Sequence, residues 1–327
     1  DKANAQIAAD FLRIRIMGLP FLYLFLMRNS LLVGVNQSRY LVIGTASEAV
    51  VNVFFDYALI YGKFGLPALG FNGAAVASII AEFTAQAVAF WVIKQNKTLK
   101  QMPIFVAAQH SLSTAKIILV RSAPLVGQYA LSIVSWEIFY LLIEHHGERA
   151  LAVSNTMRNI FGFFGCFTWA FASTTNAMVS NVIGQKKLDD VFPMIYKILR
   201  LSMGFAAIVA LLVNAFAPYI FAIYGQPASF IADAIPVLRV VSVALLLMSF
   251  SVVWLNSLIA VGKTTINLLI EFAAIILYLI YSYLTLEKWQ MPIYVGWGSE
   301  WIYWICLFLP SYIFMRSGKW KQIVATK

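Results

Sequence analysis

Nine apolar stretches, each long enough to cross a bilayer, follow one another through the chain. They read as Asp10–Val33, Tyr40–Tyr61, Gly73–Ile93, Ala115–Ile143, Ala150–Ile183, Val191–Phe216, Ile231–Val261, Ile266–Leu286 and Ile293–Met315. A hydrocarbon core about 30 Å thick needs about 20 apolar residues in helical form. Inside it, each segment must satisfy its own backbone polar groups. The expected fold is therefore all-α, a polytopic membrane protein with about nine transmembrane helices. Only 12% of residues are charged, 61% are hydrophobic, and the mean hydropathy is +0.80. Soluble chains carry roughly 25% charged residues, so a soluble enzyme, a disordered chain and a secreted disulfide scaffold are excluded.

Breakers separate the stretches: Gly62, Gly65 and Pro67; Gly147; Gly184; Gly225 and Pro227; Gly262; and Pro292. Pro20 and Pro124 fall inside spans and are expected to kink them. Cys166 and Cys306 sit far apart in apolar runs and imply neither a disulfide nor a metal framework. Nine alternating spans place twelve basic loop residues on one side, among them Arg39, Lys94, Lys97, Lys100, Lys186, Lys187, Lys263 and Lys327, and four on the other. The positive-inside rule then puts the C-terminus in the cytoplasm. The net charge of +10 belongs to topology and not to nucleic-acid binding.

The start, Asp1-Lys2-Ala3-Asn4, has no initiator Met and no basic n-region, and it reads as cut. A faint repeat links the first and seventh spans. Leu12-Arg13 returns as Leu238-Arg239, and Asn29-Ser30-Leu31 as Asn256-Ser257-Leu258. Two similar lobes are expected, as in many transporters. The second half of one lobe would occupy residues 1–95, a cytoplasmic basic linker 96–114, and a second lobe 115–327.

Charges within a membrane are costly and mark cavities or partners. Glu48, Asn52 and Asp56 are spaced by four, which sets them on one helical stripe. Ser78, Glu82 and Gln86 form a second stripe on the next span. The spans are antiparallel. Counting 1.5 Å per residue from the outer loop brings Asp56 and Ser78 to similar depth. A carboxylate, an amide and a hydroxyl at one level suit a hard cation such as Na+, and a desolvated carboxylate can instead exchange a proton. The same stripes can also serve only to glue helices together. Further along lie Glu137, Arg158, Arg239 and Glu271. Glu137 is suited to a cationic substrate or ion, or to pairing with an arginine. Arg13 and Arg15 are expected to snorkel, with pairing to Asp56 as the alternative.

Several apparent motifs carry no chemistry. Gly262-Lys263-Thr264 ends like a phosphate loop but lacks the preceding Gly and strand. Glu144-His145-His146-Gly147-Glu148 has metal-ligand residue types but falls in a short turn. His110 stands alone in the linker. No acid and nucleophile grouping calls for an enzyme, and no cofactor is expected.

One block is more specific: Asn52-Val-Phe-Phe-Asp56, then Leu59-Ile60-Tyr61-Gly62, then Gly73-Ala74-Ala75-Val76-Ala77-Ser78. It resembles the signature of helices five and six in the multidrug and toxic compound extrusion (MATE) family. Leu12-Arg13, Pro20 and Gly34 resemble helix four of that family. Ala123-Pro124 resembles helix seven, and Val182-Ile183-Gly184-Gln185 the end of helix eight. The resemblance implies a two-lobe, twelve-helix fold of which this chain would hold helices four to twelve, an N-terminally truncated member.

It also implies a secondary active antiporter of the bacterial cytoplasmic (inner) membrane. Such a protein exports amphipathic or cationic compounds in exchange for Na+ or H+. Its partners would be small molecules and membrane lipids, and it would act as a monomer. Asn52 and Asp56 match the family's helix-five coupling pair, and Ser78 matches its helix-six Thr with the hydroxyl kept. Glu48, Glu82 and Gln86 would extend the polar path. Glu137, Arg158 and Glu271 would be second-lobe contacts for substrate or cation. The alternative within the same superfamily is a flippase for lipid-linked saccharides.

Overall fold

The apolar stretches form α-helices in a computed structural model that describes residues 2–35, 37–96, 99, 111–223 and 228–321. Lys97, Lys100, His110, Gly225, Pro227 and Lys327 lie outside the described residues, as does most of the expected 96–114 linker. The chain divides into two compact units, Asp1–His110 and Ser111–Lys327.

The first unit holds α1 (Lys2–Ile16), α2 (Leu19–Gly34), α3 (Leu41–Tyr61) and α4 (Phe71–Gln95). α1 and α2 meet at a bend of 51°. Pro20 stands in the first turn of α2, where its missing N–H costs nothing, and the helix therefore restarts at Leu19. The kink expected at Pro20 is a break between two helices. α3 ends on Gly62, which takes the left-handed conformation at φ 64° that a side chain would resist.

α4 buries Gly73, Ala75, Ala77, Ala81, Ala85 and Ala89. Small residues of this kind let membrane helices approach closely. The contact is tightest at Gly73, where a Cβ would come within 2.7 Å of the Leu59 carbonyl oxygen. That contact fixes the α3–α4 register: one turn further from it stand Asp56 on α3 and Ala77–Ser78 on α4.

The second unit holds α5 (Leu112–Glu144), α6 (Glu148–Gly184), α7 (Val191–Ala215), α8 (Ala217–Ile223), α9 (Ala228–Ala260), α10 (Thr264–Ser282), α11 (Ile293–Gly296) and α12 (Ser299–Arg316). α10 runs on to Lys288 as a π-helical turn. α9 is apolar along most of its length, and 67% of its most apolar window is buried. It packs against α6, α7 and α12. Fully buried aromatics fill the unit's core. Phe139 packs edge-on to Trp297 with ring centres 5.3 Å apart, and Trp254 packs edge-on to Tyr312 at 4.8 Å.

The expected nine spans are corrected. Among the described residues, six helices are long and apolar enough to cross a membrane, or seven if the bent α1–α2 pair is one span. α6 and α12 do not reach that standard. α6 is 37 residues long but carries Glu148, Arg149, Arg158 and a series of Asn, Ser and Thr. α12 has 18 residues, among them Glu300, Arg316 and several Trp and Tyr. Ser154, Thr156, Thr168 and Thr175 of α6 and Glu300 of α12 are buried while the α6 charges stay exposed, so a count of apolar stretches overstates the number of simple spans.

Candidate functional site

Two polar clusters stand inside the helices, one in each unit. In the first unit, Asn52 and Asp56 lie on α3 and Ser78 on α4, all half-buried. The Asp56 Oδ1 is buried and completes no hydrogen bond. From the close approach at Gly73, Asp56 stands three residues along α3 and Ser78 five residues along α4, and no hydrogen bond joins Asp56, Asn52 and Ser78 among the described residues. The Asp56 oxygen is thus an acceptor without a protein donor, the condition in which a carboxylate takes up a proton or a cation.

The second stripe is not a simple continuation of that site. Glu82 is 3% exposed and forms a two-pronged ion pair with Arg15 of α1, one prong at 2.9 Å. The Arg15–Glu82 fork has the planar geometry that favours guanidinium over ammonium. Arg15 therefore neither snorkels nor pairs with Asp56. Gly18 makes room for the pair, because a Cβ there would lie 2.5 Å from Glu82 Oε2. Glu48 on α3 is an electrostatic neighbour of both partners. Gln86 offers its backbone oxygen to Arg28 at 2.7 Å. Arg13 pairs with Asp10 at the surface.

In the second unit, Glu271 on α10 is 1% exposed and accepts from three side chains. Ser132 Oγ donates to Oε1 at 2.5 Å, the Tyr303 hydroxyl donates to the same oxygen, and Gln128 Nε2 donates to Oε2 at 3.3 Å. Asn267 Nδ2 donates in turn to Gln128 Oε1, while Asn267 Oδ1 is buried without a partner. Three donors and, among the described residues, no cationic partner describe a site arranged around a carboxylate, with α5, α10 and α12 each contributing. Ser132 also lies 3.1 Å from the Gln128 carbonyl oxygen, an alternative acceptor for its hydroxyl.

Glu137 and Arg158 do not join Glu271. Both are exposed, and Arg158 lies over the Tyr140 ring at 5.0 Å. Pro124, one turn before Gln128, sits inside α5 without ending it.

The Glu144–Glu148 turn is structural: His145 Nδ1 lies 2.9 Å from Glu287, and His146 Nε2 lies 2.9 Å from the Leu286 carbonyl oxygen. Among the described residues, no three His, Cys, Asp or Glu side chains are grouped to hold a metal. Gln128, Ser132, Asn267 and Tyr303 escaped sequence reasoning. A signal was present, since Gln128 and Ser132, like Asn267 and Glu271, are spaced by four.

A crystal structure of MATE in complex with MaL6 superposes on 96% of this chain and 70% of its own, with TM-score 0.83 and 16% identity. The chain has the MATE fold. A MOP superfamily transporter from Pyrococcus furiosus, described as having a binding pocket of reverse polarity, matches 95% of this chain and 70% of its own at TM-score 0.82 and 16% identity. The MatE family model matches residues 124–284.

Among curated relatives, the "Uncharacterized transporter YisQ" of Bacillus subtilis is 25% identical over 78% of this chain and 56% of its own length. The "Probable multidrug resistance protein NorM" of Halalkalibacterium halodurans is 26% identical over 63% of this chain and 44% of its own length. The chain spans about half the length of these two relatives.

One expectation is withdrawn here, that of an N-terminally truncated chain. The MATE fold is matched through 96% of the chain, and the position of Asp1 establishes nothing about a truncation.

Proposed function

We propose that this protein is a secondary active antiporter that exports amphipathic or cationic compounds in exchange for Na+ or H+. It would act as a monomer in a bacterial cytoplasmic membrane, with its C-terminus in the cytoplasm. The MATE fold and the MatE match support the class of protein. The similarity to "Probable multidrug resistance protein NorM" supports the class of cargo.

The observation that carries the coupling role is the buried, unpartnered Oδ1 of Asp56 in a helix pair packed backbone to backbone. Asp56 carries the ion, with Asn52 and Ser78 as supporting ligands and Glu48 beside them. Glu82 has a different task, because Arg15 already holds its charge. Glu137 and Arg158, both exposed, are reserved for cargo. An ion and a cargo molecule that bind alternative conformations of one protein exchange by shifting the same equilibrium.

The test is Asp56→Asn in lipid vesicles with an imposed ion gradient. Gradient-driven export of ethidium is expected to fall to the level of protein-free vesicles, with helix content unchanged. Export retained in the variant removes Asp56 from the coupling role.

A further inference from the structure

Glu300 is the second residue of α12 and only 3% exposed. Its carboxylate accepts two indole N–H bonds, from Trp136 Nε1 of α5 at 3.1 Å and from Trp304 Nε1 one turn along α12 at 3.0 Å. No Lys, Arg or His pairs with it among the described residues. Beside it stand two idle hydroxyls. Tyr278 of α10 faces Glu300, and Ser299 faces Tyr278. Tyr278 is 2% exposed and Ser299 is 0% exposed, and neither hydroxyl completes a hydrogen bond.

Hydrogen-bond inventory gives this arrangement a meaning. An ionised carboxylate only accepts, and an indole N–H only donates, so Trp136 and Trp304 fit the charged form. A protonated carboxyl has one O–H to give. An indole N–H cannot receive it, whereas a hydroxyl oxygen can. The two indoles can only donate to the charged form, whereas the Tyr278 hydroxyl beside them can serve either form, donating to the carboxylate or accepting from the carboxyl. A buried polar group left without a partner is costly, so two idle hydroxyls next to one buried acid call for an explanation.

The other charged and titratable groups around the site do not neutralise it. α5 brings Tyr140 and the exposed Glu137, and α6 brings Arg158, stacked on Tyr140. α9 brings Arg239, which is exposed. On α12, Tyr303 points its hydroxyl to Glu271. The rings of Tyr303 and Tyr278 lie 5.8 Å apart, edge to face, so the two buried acids are joined through these two tyrosines.

We propose that Glu300 is a proton-binding site of the second unit. Ionised, it is held by Trp136 and Trp304; protonated, it donates its new O–H to Tyr278. The proton comes from water and returns to it, and no bond other than that O–H forms or breaks. The site is separate from Asp56, which lies in the other unit, and it stands independently of the export reading.

Infrared difference spectra of the protein in lipid nanodiscs, acid minus alkaline, test the site. A protonated-carboxyl C=O band is expected, with a component that Glu300→Gln removes and that Asp56→Asn and Glu271→Gln retain. Coinciding spectra from the native protein and a folded Glu300→Gln overturn the proposal. Should Glu300→Gln fail to fold, Trp136→Phe decides, because it keeps an aromatic ring and deletes one donor that fits the charged form. A midpoint displaced by about half to one pH unit, the worth of one hydrogen bond, supports the site. An unmoved midpoint overturns it. The band and its loss do not depend on transport, so they stand even where ethidium export fails.

Discussion

Arg15→Ala is expected to destabilise the protein by about 3–5 kcal/mol, the usual cost of leaving one member of a buried ion pair without its partner. Glu82 would remain 3% exposed with nothing to balance it, and Glu48 nearby would add repulsion. Replacing both partners with apolar residues of similar volume, Arg15→Met with Glu82→Leu, is expected to recover most of that loss. The buried pair contributes little beyond such a replacement once its desolvation is counted. Thermal unfolding in nanodiscs measures the cycle. Equal losses for the single and double variants would show that Arg15 stabilises through packing and not through charge.

Glu271→Ala is expected to be comparably severe for a different reason. It strips the acceptor from the Gln128 amide and the Tyr303 hydroxyl, at about 1–3 kcal/mol for each buried donor left unpaired. It also opens a cavity among α5, α10 and α12. Ser132 suffers least, because the Gln128 carbonyl oxygen is already within 3.1 Å of its hydroxyl. Glu271→Gln keeps the volume and one acceptor, so it is expected to cost markedly less. Melting curves that do not separate the alanine and glutamine variants would show that the three donors do not depend on the carboxylate.

The helical character was legible in the sequence because it rests on local rules. Apolar runs of membrane length announce helices, and spacing by four announces a face. Gly62 was legible as a breaker and caps α3 in the left-handed conformation, whereas Pro20, expected to kink a span, instead starts a new helix. The partners of the charges were not legible. Arg15 meets Glu82 across 67 residues of sequence, and Gln128 meets Glu271 across 143. Nothing local distinguishes an arginine that snorkels from one that forks a buried glutamate.

The spacing-four rule also applied to the second half, to Gln128 with Ser132 and to Asn267 with Glu271. There the partners are an amide, a hydroxyl and a tyrosine, residue types common in membrane helices. Glu300 lies inside the Ile293–Met315 stretch and was not singled out, because its partners are indoles on another helix and one turn along its own. Trp136 and Trp304 enclose it. The number of spans was misjudged for a related reason. Hydropathy averages over a segment, and α6 and α12 carry polar residues that the fold places inside the bundle.

The central claim is that ion flow and cargo flow are one coupled process in this protein. The most direct measurement follows both in the same vesicles, using the reconstituted native protein, ethidium and a dye that reports internal pH or Na+. The account predicts that an ion gradient drives ethidium against its own gradient, and that an ethidium gradient drives the ion in the opposite direction. Ethidium moving only down its own gradient, with no accompanying proton or Na+ flux, would contradict it.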